Sequence, residues 1–171
     1  MSQKTPYLFG GCIAEPDVCA LANIIGCPLD EFFDVAKSGD SFGYGDVYDG
    51  HNPELETFLE DRHMPYRHLY DFPDSGPTLA VFDGTRNHLY AVDNDGTIVF
   101  PLYRVQNLLG EGKLDDFLRE AQSIQNFEPP PLMIHTCGRE EAENRIAFDA
   151  WRREHGLKPL LRTVRRRTTR T

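Results

Sequence analysis
Residues 66–100 read YRHLYDFPDSGPTLAVFDGTRNHLYAVDNDGTIVF, and this stretch decides the fold. Short runs rich in aromatic and β-branched side chains (YRHLY, TLAVF, NHLYAVD and TIVF) are separated by turn signals built on Pro and Gly, Asp-Gly and Asn-Asp-Gly. The period is strand-like, so the spacing predicts an antiparallel meander over 66–100.

On the N-terminal side the period becomes helical. PDVCALANIIG at 16–26 predicts a short helix, because proline suits the first helical position, Asp17 favours the positive N-terminal end and Gly26 closes it. Leu29, Phe32, Phe33 and Ala36 place a second helix at 28–37, followed by a Gly-, Ser- and Asp-rich loop to about residue 51, which is expected at the surface. Asn52-Pro53 starts a third helix, with Leu55, Phe58 and Leu59 on its apolar face to about His63.

On the C-terminal side, KLDDFLREAQSIQN at 113–126 predicts another helix. Pro129-Pro130-Pro131 then reads as a stiff spacer that ends the regular packing pattern. LMIH offers one more short strand, and 139–155 a helix with Ile146, Phe148 and Trp151 available to dock. The expected class is α+β: a domain over 1–128, a helical extension over 129–158 and a basic flexible tail over 159–171.

Charge divides the chain in the same way. The net charge is −9, yet Arg152 to Thr171 carries eight Lys or Arg against one Glu, which is +7 and leaves 10 basic against 26 acidic residues before it, or −16. Such a body repels nucleic acid, whereas Arg162, Arg165, Arg166, Arg167 and Arg170 attract phosphates or an acidic protein surface, the body's own included. No run approaches the 18 apolar residues of a membrane span and the first residues lack a signal-peptide core, so a cytoplasmic protein is expected.

Cysteines stand at 12, 19, 27 and 137 with no Cys-x-x-Cys pair, so free thiols, no metal and no cofactor are expected. A thiol becomes a useful nucleophile when it ionises, and a helix N-terminus favours the thiolate. Cys19 has that setting, and His88, opening the best strand in the chain, is its candidate base. Cys12, behind Gly10-Gly11, is a competing nucleophile, because glycines allow close approach of a substrate to the backbone. His63 and His68 are rival bases that read as surface residues. Asp93-Asn94-Asp95-Gly96 reads as a hairpin turn, and Asp40, Asp46 and Asp49, interleaved with Phe42, Tyr44 and Tyr48, as a solvated loop.

Asp17-Val18-Cys19-Ala20-Leu21-Ala22-Asn23-Ile24-Ile25-Gly26 resembles the nucleophile helix of the bacteriocin-processing peptidase branch of the papain-like superfamily. Asn87-His88-Leu89-Tyr90-Ala91-Val92-Asp93 is similar to its histidine strand, and the likeness spans residues 12–101. It implies a papain-like fold and a cysteine-dependent peptidase or acyl transferase, in which His88 takes the Cys19 proton. The family's Gly after the nucleophile is Ala20 here, and the only glutamine upstream of Cys19 is Gln3. Phe100-Pro101 replaces its Asp-Pro, which leaves Asp93 or Asp95 to orient His88. The rival expectation is a non-catalytic assembly component, of a virion or ribonucleoprotein, acting through its Arg-rich tail.

Overall fold
A computed structural model describes residues 7–45, 52–72, 76–136 and 138–157. The Arg-rich tail, Cys137, and Asp46, Tyr48 and Asp49 of the acidic loop lie outside the described residues. The order of elements is β1 (Tyr7–Phe9), β2 (Gly11–Ala14), α1 (Glu15–Ile25), α2 (Leu29–Ser38), β3 (Phe42–Tyr44), α3 (Pro53–Asp61), β4 (Tyr66–Phe72), β5 (Gly76–Phe82), β6 (Asn87–Ala91), α4 (Leu102–Gly110), α5 (Leu114–Gln125), β7 (Leu132–His135) and α6 (Gly138–Glu154).

The first three runs form the expected meander, but the fourth, TIVF, makes only a single antiparallel bridge, Ile98 to Val92, and adds no strand. β4, β5 and β6 pair antiparallel, Tyr66 opposite Phe82 and Leu79 opposite Tyr90, within a five-stranded sheet of order β3-β1-β4-β5-β6. β5 is buried continuously from Leu79 to Phe82 because both faces of the sheet are covered. On one face Tyr7, Phe9, Tyr66 and Phe82 pack against Val18 and Leu21 of α1, Phe32 of α2 and Leu55 and Leu59 of α3. Phe32 and Phe42 stack there with ring centroids 4.3 Å apart, an arrangement worth about 1 kcal/mol beyond the area it buries. On the other face Leu79, Val81 and Tyr90 meet Ala121 and Ile124 of α5, with Phe127 and Trp151 closing the cluster.

The helices start and stop for local reasons. Gly26 and Gly39 end α1 and α2 in the left-handed conformation that non-glycine residues avoid. The Asn52 side chain accepts the Leu55 N–H at 3.0 Å, capping α3.

Two expectations are corrected. The loop after α2 is not wholly at the surface, because it holds β3, whose Phe42 is 3% exposed in the core; three residues are too few to show a period. The segment after the triproline is packed into the molecule rather than appended to it. β7 pairs in parallel with β2, Cys12 opposite Met133 and Ala14 opposite His135, and Leu132 joins the same core as α1 to α3. The join runs through Gly10 and Gly11, whose N–H groups donate to the Pro65 and Pro131 carbonyls at 3.1 Å each. Among the described residues no helix is long and apolar enough to cross a membrane.

Candidate functional site
The residues expected to act together do not meet. Cys19 is exposed on α1, and among the described residues no hydrogen bond or ion pair joins it to His88. His88 projects from β6 toward α5 and stands between two carboxylates, its Nε2 3.3 Å from Asp83 Oδ2 and its Nδ1 3.6 Å from Glu120 Oε1. Asp93 is occupied otherwise: its carboxylate accepts the Asp95 and Thr97 N–H groups at 2.9 Å each and holds the hairpin turn that Asn94-Asp95-Gly96 foretells. Gln125 of α5 clamps that turn through the Ile98 N–H and the Gly96 carbonyl.

His68, expected at the surface, is 2% exposed and stacks on Tyr7 at 3.7 Å, because the sheet face it points from is covered by α3. Tyr70 stacks on it at 5.5 Å, and Tyr7 in turn meets the Tyr66 ring edge-on in the core. Burial pushes the Tyr7 and Tyr66 phenols well above their ordinary pKa. His63 is exposed, as expected, and donates from Nδ1 to the Gly84 carbonyl at 3.1 Å.

Asp83 is the electrostatic anchor of the β5–β6 turn. Burial works against its charge, but the His88 ring, the Thr85 hydroxyl and the Thr85 and Arg86 N–H groups outweigh it and hold the carboxyl well below the usual carboxylate range. A carboxyl depressed on folding contributes stability that is present above its unfolded pKa and lost as pH falls below it. The midpoint of urea unfolding is therefore expected to fall on acidification below about pH 4. Asp83→Asn should cost about 2 kcal/mol at pH 7 and flatten that acid dependence; an unchanged slope between pH 5 and pH 3 would count against this assignment.

The thiol and imidazole that do meet are Cys12 and His135, with Sγ and Nδ1 3.3 Å apart. The pairing follows from strand register. In the parallel β2–β7 pair, His135 lies opposite Ala14, and Cys12 is two residues from Ala14 on the same face, so the two side chains are diagonal neighbours. They open on a cleft of about 280 Å³ walled by Arg62, His63, Arg145, Phe148 and Asp149. Burial pushes the Cys12 thiol up to about 11, with Arg145 drawing it partly back and Glu141 adding to the rise. The resting pair is thus a neutral thiol beside an imidazole. Among the described residues, nothing pairs with the second ring nitrogen of His135, which makes this a dyad without a carboxylate.

Of the two partners, Cys12 is legible in the sequence as a competing nucleophile, whereas His135 does not stand out there as a base. Its one signal is that it ends a short apolar run, LMIH, as Cys12 interrupts another, GCIA.

Arg152 links this cleft to the Asp83 turn. It is 0% exposed, donates from Nη1 to the Asp83 carbonyl at 3.0 Å and lies in the field of both Asp83 and Asp149. Among the described residues, no group of three or more His, Cys, Asp or Glu is placed to hold a metal ion.

Comparison with protein-family models, with curated proteins and with solved structures finds no match to this chain. The sheet, its flanking helices and the Cys12–His135 cleft therefore carry the functional reading by themselves.

Proposed function
We propose that the protein is a thiol-dependent acyl hydrolase or transferase, of the peptidase type that the papain-like resemblance implies, with Cys12 as nucleophile and His135 as base. The observation that carries it is the 3.3 Å approach of Sγ to Nδ1 at the mouth of an open cleft. In this reading Cys12 Sγ attacks a peptide or other acyl carbonyl as its proton passes to His135 Nδ1. The leaving amine or alcohol takes that proton, and a thioester remains. Water then attacks the thioester, gives a proton to His135, and the thiol is restored as the acid departs.

A nucleophile just ahead of a helix and a histidine on a later strand keep the papain-like order, although β7 lies outside the antiparallel sheet. The raised thiol pKa makes His135 the gate, because little thiolate exists until the ring accepts the proton. A reducing cytoplasm would keep such a thiol available.

Turnover of p-nitrophenyl acetate is expected to fall at least about 100-fold in Cys12→Ala and in His135→Ala, and to persist in Cys19→Ala. Turnover that survives Cys12→Ala defeats the reading; turnover that vanishes with Cys19→Ala instead returns the role to Cys19 and His88.

A second reading is a non-catalytic assembly component that contacts nucleic acid or an acidic partner through Arg162, Arg165, Arg166, Arg167 and Arg170. Its support is the +7 end on a −16 body together with a thiol that rests neutral. It predicts salt-sensitive, sequence-independent binding to single-stranded RNA that is lost on truncation after Leu157.

A further inference from the structure
The cleft in front of Cys12 is richer in arginine than the acidic body around it. Ahead of Arg152 the chain carries 26 acidic residues against 10 basic ones, yet two of those ten, Arg62 and Arg145, line this one cleft. Arg62 comes from the end of α3, tied to Asp17 at 2.8 Å and lying over the Phe58 ring. Arg145 comes from α6, paired one turn away with Glu141, its side chain still 55% exposed.

The two guanidiniums differ in what they can offer. Arg62 is committed to Asp17, to the Phe58 carbonyl and to a ring face. Among the described residues Arg145 is held by one carboxylate, Glu141 at one Nη, and its remaining N–H donors suit a second carboxylate. The one acidic wall residue, Asp149, is 2% exposed and shares its field with the buried Arg152. Phe148, 4% exposed, adds an apolar surface to the lining.

We propose that the Cys12 cleft selects acyl groups that carry a second, anionic group such as a carboxylate, with Arg145 as the residue that receives it. This rests on Cys12 lying at the reactive end of the cleft, but its test does not require turnover. Iodoacetate and iodoacetamide alkylate the same thiolate and differ in charge, so the ratio of their rates reports the charge met on approach and cancels the thiol's pKa. Cys19, exposed on α1, provides an internal reference.

In the full chain, with mass-spectrometric site assignment, the iodoacetate to iodoacetamide ratio at Cys12 is expected to exceed that at Cys19 by about tenfold at low salt. Arg145→Gln should bring it to the Cys19 level and Arg145→Glu below it, while the ratio at Cys19 stays put. Equal ratios at the two cysteines in the native protein overturn the proposal. So does a Cys12 that reacts with neither reagent, because such a cleft admits no small anion. A charge preference that survives while p-nitrophenyl acetate turnover is absent leaves the anion site standing and removes the hydrolase. With turnover present, hydrolysis of p-nitrophenyl hemiglutarate should exceed that of the butyrate in kcat/KM, and Arg145→Gln should erase the difference mainly through KM.

Discussion

Gly10→Ala is expected to leave the chain unable to hold its native fold. A Cβ at residue 10 would fall under 3.0 Å from the Pro130 carbonyl oxygen, 2.9 Å from the carbon that bears it and 3.2 Å from the Pro131 carbonyl carbon. All three are backbone atoms, so no rotamer change relieves the overlap. Gly10 cannot retreat either, because its N–H is bonded to the Pro65 carbonyl and its neighbour's to the Pro131 carbonyl. Relief requires separating β2 from the triproline, which undoes the β2–β7 pair. The cost should exceed 4 kcal/mol, in the range reached only by severe core disruption and comparable to the whole stability of many domains of this size. Gly43→Ala is the control, since its Cβ meets only the Leu8 side chain, at 3.5 Å, and it should change stability by less than about 1 kcal/mol. Far-UV circular dichroism through a urea titration of the two variants would decide it. A cooperative Gly10→Ala transition near the wild-type midpoint would mean that the segment around Pro130 is not packed against β2.

Arg152→Ala is expected to cost about 3–5 kcal/mol, the second-largest effect in the molecule. The side chain is fully buried, its charge faces Asp83 and Asp149, and its guanidinium fills the space beside Gly84, where a Cβ would collide with it. Burial draws its pKa down while the two carboxylates hold it up, so those partners offset the cost of burying its charge. Removing it leaves carboxylates short of a counter-charge in a low-dielectric setting, and it empties the space between α6 and the β5–β6 turn. The double variant Arg152→Ala, Asp149→Asn should recover part of the loss, because the two residues share one electrostatic network. Chemical denaturation of the four proteins in that cycle gives the coupling directly; strict additivity would show that the arginine acts by filling volume alone.

Where a local rule governs, the fold was readable. The meander follows from alternation and turn chemistry at Asp83-Gly84 and Asn94-Asp95-Gly96, and α1, α2, α3, α5 and α6 from apolar spacing and their Pro, Asn and Gly punctuation. β1, β2 and β3 have three or four residues each, shorter than the window in which a period can be seen. α4 leaves little trace in the sequence because it sits between two stronger patterns and fully buries none of its residues, leaving Leu102 and Leu109 exposed. Composition makes the triproline look like a spacer, whereas Pro129 and Pro130 are buried and the Pro130 backbone lies against Gly10, between β1 and β2.

The site shows the same division. The pairing of a cysteine in the N-terminal segment with a histidine on a later strand is legible as a type of chemistry. Which histidine it finds depends on a parallel pairing that leaves no trace in either four-residue segment. His88 and Asp93 had the right surroundings in the sequence, but each is held by nearer groups: Asp83 and Glu120 for the ring, and the turn's own N–H groups for the carboxylate.

The sequence distance spanned by the β2–β7 pair also sets the order of events during synthesis. Cys12 and His135 are 123 residues apart, so bringing them together costs roughly 4 kcal/mol of loop-closure entropy, and neither strand gains its partner until the intervening chain has collapsed. At ordinary translation rates the cysteine precedes its histidine out of the ribosome by roughly 6–25 s. Through that interval it is a bare thiol on an unfinished polypeptide, open to oxidants and to other nascent chains. Any reactivity that depends on the pair switches on only after β7 has been made and has closed against β2.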